Sequence, residues 1–391
     1  MASPRTIRVW LLLGIALGAI GIFLLILKRP DPGSASRDPQ PANQRTEPAD
    51  RKDARTAGTD EPAGSTADDE AKVSALIRDS AEAFRTNRDP SQASALLLAL
   101  RDGIRQAPEE AAAAAIVGFL KKTGDAPTGL PFAVGPDGMM AAVPSLRLAL
   151  LDLLPSLDPQ AALEVARAIM DQRTTADEYA LALRNMAWND LDGDLKSELS
   201  GRFMDLLKMP WLEKPSAGFL EAFDIAVEVG GAPMFDRMVA LAGEAMAKGN
   251  TAASRAAFMS MDRMIVRNPA VLGSAFSKDA EWMAFAPQQR ASLMSRLDIT
   301  QPDQREIFNR YLSSPKHAAG ELEYFAKVFP NQNYLYGHRL VTTDDTTPTI
   351  AEVAAADARV VAELDALEGA ATSEGGAAIR TIRERLKKPA K

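Results

Sequence analysis

The chain has 391 residues, with 52 acidic and 45 basic side chains, a formal net charge of −7, no cysteine and two histidines. The acidic balance, with no basic stripe, argues against nucleic acid as a partner. Zero Cys excludes disulfides, thiol catalysis and zinc–thiolate sites, and His317 and His338 leave little material for metal or acid–base chemistry, so no metal or cofactor is expected.

The first predicted element is a membrane helix. Trp10 to Leu27 carries no charge, Pro, Asn or Gln. At 1.5 Å per residue a helix of that length spans roughly 27 Å, close to a hydrocarbon core of about 30 Å. A cleaved signal would need a shorter apolar region and a small-x-small exit. The single candidate, Ala16-Leu17-Gly18, sits in mid-run, so an uncleaved single-pass anchor over 10–29 is expected after a tail at 1–9. Arg5 and Arg8 before the run nearly balance Lys28 and Arg29 after it, so orientation follows signal-anchor behaviour. The amino terminus then stays cytoplasmic and the long carboxy-terminal part is extracytoplasmic, on the periplasmic side of a bacterial inner membrane. Gly14 and Gly18 have the small-xxx-small spacing that lets two such helices approach, which offers a homodimer contact.

Residues 30–72 contain no Val, Ile, Leu, Met, Phe, Trp or Tyr. A stretch that cannot bury apolar area cannot offset the entropy of ordering, so a disordered linker is predicted.

From Val73 onward apolar residues recur at helical spacing. Leu163, Ala166, Ile169 and Met170 share one face; so do Leu195, Leu199, Phe203 and Leu206, and Leu322, Phe325, Ala326 and Phe329. Ser145–Leu154 is apolar nearly all round apart from Arg147 and Asp152, as for a helix sandwiched between neighbours. Asp89-Pro90, Asp158-Pro159, Asn268-Pro269, Ser314-Pro315 and Thr347-Pro348 each pair a capping side chain with Pro at a first helical position. One stretch differs: between Pro131 and Pro144, Gly135-Pro136-Asp137-Gly138 separates two short apolar pieces, which predicts a small β-hairpin or loop insertion.

The fold class expected is all-α, and the succession of short helices resembles an irregular α-solenoid of stacked antiparallel pairs, in the broad manner of HEAT or tetratricopeptide arrays. The resemblance rests on helix length and spacing over roughly Val73 to Pro330, with no 34-residue period or tetratricopeptide signature. A compact irregular helical domain is the competitor. The expected solenoid-like domain covers 73–347, and two further helices fill 348–391. A helical array implies an extended surface for a protein partner.

Few residues suggest chemistry. Asp190–Asp194 lacks the Gly and Glu that a calcium loop needs at its sixth and twelfth positions; it reads as an acidic turn with Asp192 or Asp194 capping the next helix. His317 is expected at the start of a helix after Ser314-Pro315. Tyr334, Tyr336, His338 and Arg339 form the candidate partner surface, with Tyr334, Tyr336 and Leu340 folding back over the last helix pair. The function expected is a membrane-anchored helical scaffold that binds or positions a protein partner. The rival is an enzyme acting on an envelope polymer, which would need two carboxylates facing across a cleft.

Overall fold

The computed structural model describes residues 64–87, 89–122, 124–278, 282–331, 337–342, 349–367 and 373–387. The expected tail, the anchor with Gly14 and Gly18, and the first part of the linker lie outside the described residues. Among the described residues no helix is long and apolar enough to cross a membrane.

The protein is all-α, with one small hairpin. Helix α1 (Gly64–Thr86) begins inside the expected linker. Its first turns hold no large apolar residue, but Ala, Asp and Glu favour helix, and Lys72 pairs with Asp69 one turn back at 2.7 Å. From Val73 the helix buries Val73, Ile77, Ala81 and Phe84 on one stripe. Apolar content thus marked where packing starts, nine residues after the helix does.

Helix α2 (Pro90–Gln106) is capped by Asp89, whose carboxylate accepts the Ser91 N–H at 2.9 Å. Helix α3 (Glu109–Leu120) leads to an antiparallel hairpin, β1 (Ala133–Val134) and β2 (Met140–Ala142), with Ala133 opposite Ala142 and an irregularity in register. Helix α4 (Leu146–Leu157) buries every residue from Leu146 to Leu154, Arg147 and Asp152 included. Pro155 in its last turn cannot bond the Leu151 carbonyl; the Asn185 amide donates to that oxygen instead, at 2.9 Å. Helix α5 (Pro159–Gln172) is capped by Asp158 and α6 (Ala176–Trp188) by Thr175. Before α7 (Lys196–Leu206) the capping acid is Asp190, which accepts the Leu195 N–H at 2.7 Å, in place of Asp192 or Asp194.

The short α8 (Ala217–Glu221) and α9 (Asp224–Val229) precede the long pair α10 (Gly231–Ala247) and α11 (Thr251–Arg267). Then follow α12 (Ala270–Lys278), α13 (Pro287–Met294), α14 (Pro302–Leu312) and α15 (Glu321–Val328). Helix α15 starts six residues later than Ser314-Pro315 suggests, so His317 lies in a non-helical stretch. The Glu321 carboxylate accepts the Ala318 N–H and Arg290 binds the Lys316 carbonyl, so a tertiary clamp overrides the local cap. Helices α16 (Ile350–Leu367) and α17 (Ser373–Leu386) close the chain; Thr347-Pro348 lies outside the described residues, and Thr349 caps α16 through the Glu352 N–H.

Packing runs along the sequence. Helix α4 lies against α5 and α6, α9 against α10 and α11, α10 against α11 and α12, α11 against α12 and α13, and α13 against α15. Full burial of each Leu in these contacts contributes about 1.5–3 kcal/mol. Aromatic clusters mark two layers: Phe203 meets Phe223 edge-on at 5.8 Å, and Phe325 stacks on Phe329 at 5.2 Å.

Candidate functional site

Four carboxylates are buried among the described residues, Asp152, Glu178, Asp224 and Glu321, and each faces an arginine. A guanidinium carries five donors, more than one carboxylate can absorb. The surplus donors reach main-chain carbonyls of non-helical segments, so each ion pair also holds a loop.

At the first such site, Asp152 of α4 accepts from Arg184 of α6 at 2.6 Å, from Arg101 of α2 at 3.1 Å and from the Met140 N–H at 3.1 Å. Arg184 also donates to the Gly138 carbonyl (3.0 Å) and Arg101 to the Met140 carbonyl (2.8 Å). The hairpin is therefore gripped by its backbone. Burial lowers the Arg184 pKa, with Asp152 opposing the shift. The Trp188 ring covers the guanidinium at 4.1 Å. Gly138 has φ +80°, and a Cβ there would come within 2.9 Å of the Trp188 ring and 3.3 Å of the Leu340 carbonyl oxygen. Only glycine fits that turn, where the hairpin meets the segment Gly337–Thr342.

That segment is the second site. Asp224, at the first position of α9, accepts the N–H groups of Val341 and Thr342, both at 2.7 Å, and the Thr342 hydroxyl at 2.5 Å. Arg263 of α11 pairs with Asp224 at 2.7 Å and donates to the carbonyls of His338 and Thr342. Glu221 of α8 accepts the Arg339 N–H at 3.2 Å, and its other oxygen lies 3.3 Å from His338 Nδ1. Burial raises the Asp224 pKa against the pull of Arg263 and of the Thr342 and Val341 donors. At a third site Arg296 forms a two-pronged pair with Asp262 (2.8 and 2.7 Å) and donates to the Asn331 carbonyl at 2.8 Å.

The two remaining buried pairs lock loops between helices. Arg147 joins Glu178 (2.8 Å) to the carbonyls of Leu120 and Lys122. Arg290 joins Glu321 (2.8 Å) to those of Trp282 and Lys316. Burial alone would raise the Glu321 pKa; Arg290, the Ala318 N–H and the Tyr311 hydroxyl outweigh it and hold the carboxyl below its usual range.

Of the residues expected to form a partner surface, His338 and Arg339 are brought together on Glu221, whereas Tyr334 and Tyr336 lie outside the described residues. Leu340 does not cap the last helix pair. It is fully buried where Gly138 approaches, in a segment held by side chains of α8, α9 and α11. The paired acids and arginines of the buried sites sit on different helices, so no local motif announced them. Their signal was the presence of Arg147 and Asp152 inside an otherwise apolar run.

A cleft of about 550 Å³ between α15 and α17 is walled largely by Ala318, Ala319, Ala326, Ala377 and Ala378, and its Glu323 is engaged by Lys327 at 2.7 Å. Among the described residues no group of three or more His, Asp or Glu side chains is placed to hold a metal ion. Compared with known proteins, the chain matches no family model, no curated protein and no solved structure.

Proposed function

We infer that the protein is a membrane-anchored, extracytoplasmic scaffold whose helices form an irregular α-solenoid and which binds or positions a protein partner. Nearest-neighbour packing carries this conclusion: the main helix–helix contacts join elements one or two apart in the chain, as in arrays that grow by stacking helix pairs. The ion pairs support it. Arg147–Glu178, Arg167–Glu198, Asp171–Arg202 and Arg290–Glu321 all span 31 residues, the offset expected when one helix pair leads to the next. The anchor rests on the apolar run Trp10–Leu27, and dimer formation through it on Gly14 and Gly18.

An envelope-polymer hydrolase would need a carboxyl kept protonated across a cleft from a second carboxylate. Each buried carboxylate among the described residues is instead matched with an arginine, and Glu321 is held ionised, which favours the scaffold. Photo-crosslinking in intact cells followed by mass spectrometry tests the assignment. An envelope protein recovered reproducibly from the solvent faces of the helices is expected. Recovery at background level, or cleavage of envelope polymer by the purified chain, overturns it.

A further inference from the structure

The segment Gly337–Thr342 is held the way a bound peptide is held. It forms neither helix nor strand, and its main-chain groups are taken up by side chains more than 70 residues away in sequence. Asp224 accepts two successive N–H groups, Arg263 donates to two carbonyls, and Glu221 accepts a third N–H. Two side chains are fully taken in. Leu340 is buried completely, and Thr342 is 2% exposed with its hydroxyl between Asp224 and Arg263. Arg339 and Val341, which alternate with them, are only half-buried. That is the two-residue period of an extended strand, in which main-chain bonds supply affinity and alternate side chains supply selectivity. Gly337 lies so close to Arg263 that a Cβ would come within 2.5 Å of its Cδ, so the backbone sits directly on the guanidinium stem.

We propose that the Glu221–Asp224–Arg263 site is a docking site for an extended polypeptide segment of a protein partner, and that Gly337–Thr342 fills it in cis. The segment it fits has an aliphatic residue followed two positions later by Thr or Ser, because those are the two inward positions. The proposal rests on the scaffold assignment above and narrows the partner to one that presents an extended segment. The clamp on the hairpin backbone by Asp152, Arg184 and Arg101 shows that the fold uses the same chemistry a second time on a non-helical stretch. A covalently attached occupant competes at roughly millimolar effective concentration. For a free peptide of micromolar intrinsic affinity, unseating the occupant lowers the observed Kd by about a hundredfold or more.

The test uses the full chain in detergent and a fluorescent peptide of residues 336–343. Leu340→Asp unseats the attached segment without altering any receiving side chain. Binding to this variant at least a hundredfold tighter than to the wild type is expected, with loss of binding when the peptide is N-methylated at the positions of Val341 and Thr342. A folded Leu340→Asp variant that ignores the peptide overturns the proposal, as does equal binding of the N-methylated peptide. Should that variant fail to fold, amide exchange on the wild type decides. The Val341 and Thr342 amides must exchange by local opening, faster than those in the middle of α4; exchange only through global unfolding makes the segment part of the core and ends the proposal. A wild-type dimer that Thr342→Ala dissolves means that copies exchange this segment, which overturns the assignment to a different protein. Crosslinking that recovers a partner while the peptide fails leaves the scaffold standing and removes only this site.

Discussion

Replacing Asp152 by Leu leaves Arg184 wholly buried with no counter-charge, because both its Nη1 contact at 2.6 Å and the acceptor of the Met140 N–H disappear. Breaking a buried pair from one side costs about 3–5 kcal/mol, since the remaining charge stays desolvated. At roughly 2 °C per kcal/mol for a domain of this size, the midpoint of thermal unfolding falls by about 6–10 °C. Replacing Arg184 by Met in the same chain removes the stranded charge, and Arg101, partly exposed, turns to solvent. The double variant is therefore expected to recover about 2–4 kcal/mol relative to the sum of the single changes. Circular dichroism melts on the two single variants and the double variant measure the coupling, and hydrogen exchange at the Met140 amide reports whether the hairpin has come loose. Additive losses, or an Asp152→Leu variant that melts within about 1 °C of wild type, would refute the view that this ion pair holds the hairpin to the helices.

Gly138→Ala forces a Cβ to 2.9 Å from Trp188 at φ +80°, whereas Gly193→Ala at φ +81° meets nothing within 4 Å. Thermal melts should show the backbone penalty of about 1–2 kcal/mol for Gly193→Ala and a clearly larger loss for Gly138→Ala; equal losses would deny the close approach. Burial lowers the His317 pKa, so below about pH 6.5 the unfolded chain takes up a proton that the folded one resists, and stability falls as the pH is lowered. Glu321, whose pKa is lowered, contributes stability above about pH 4.5 that is lost as pH drops through its folded value. Midpoints measured from about pH 8 to about pH 4 should therefore decline in two steps, and His317→Gln should remove the upper one; an unchanged profile in that variant rejects it. Gly14→Leu should weaken self-association in a membrane two-hybrid assay, and an unaltered signal removes the helix dimer.

Helix existence was legible because packing enforces a period: the stripes through Leu163 and Met170, through Leu199 and Phe203, and through Phe325 and Phe329 all became buried faces. Caps were legible where the signal is local, as at Asp89 and Asp158. They failed where a distant partner outbid them, as at Ser314, where Glu321 and Arg290 fix the chain, and at Asp192, where Asp190 reaches Leu195 first. The start of α1 at Gly64 was hidden because a solvated helical turn needs no large apolar side chain. The docking segment was seen only in outline. Its non-helical character is written in its own residues, but the side chains that receive it come from residues 221–263, and nothing in their local sequence points to position 340.

Asp224 and the amides of Val341 and Thr342 are separated by 117 and 118 residues. A ribosome adds about 5–20 residues each second, so the carboxylate emerges roughly 6–24 s before the groups that complete it. During that interval Asp224 and Arg263 wait for the backbone they will grip, and α9 and α11 are completed late although they are made long before the end of the chain. A polypeptide cut short anywhere between Arg263 and Leu340 thus carries a permanently open seat, a mark by which quality control can tell an incomplete copy from a finished one.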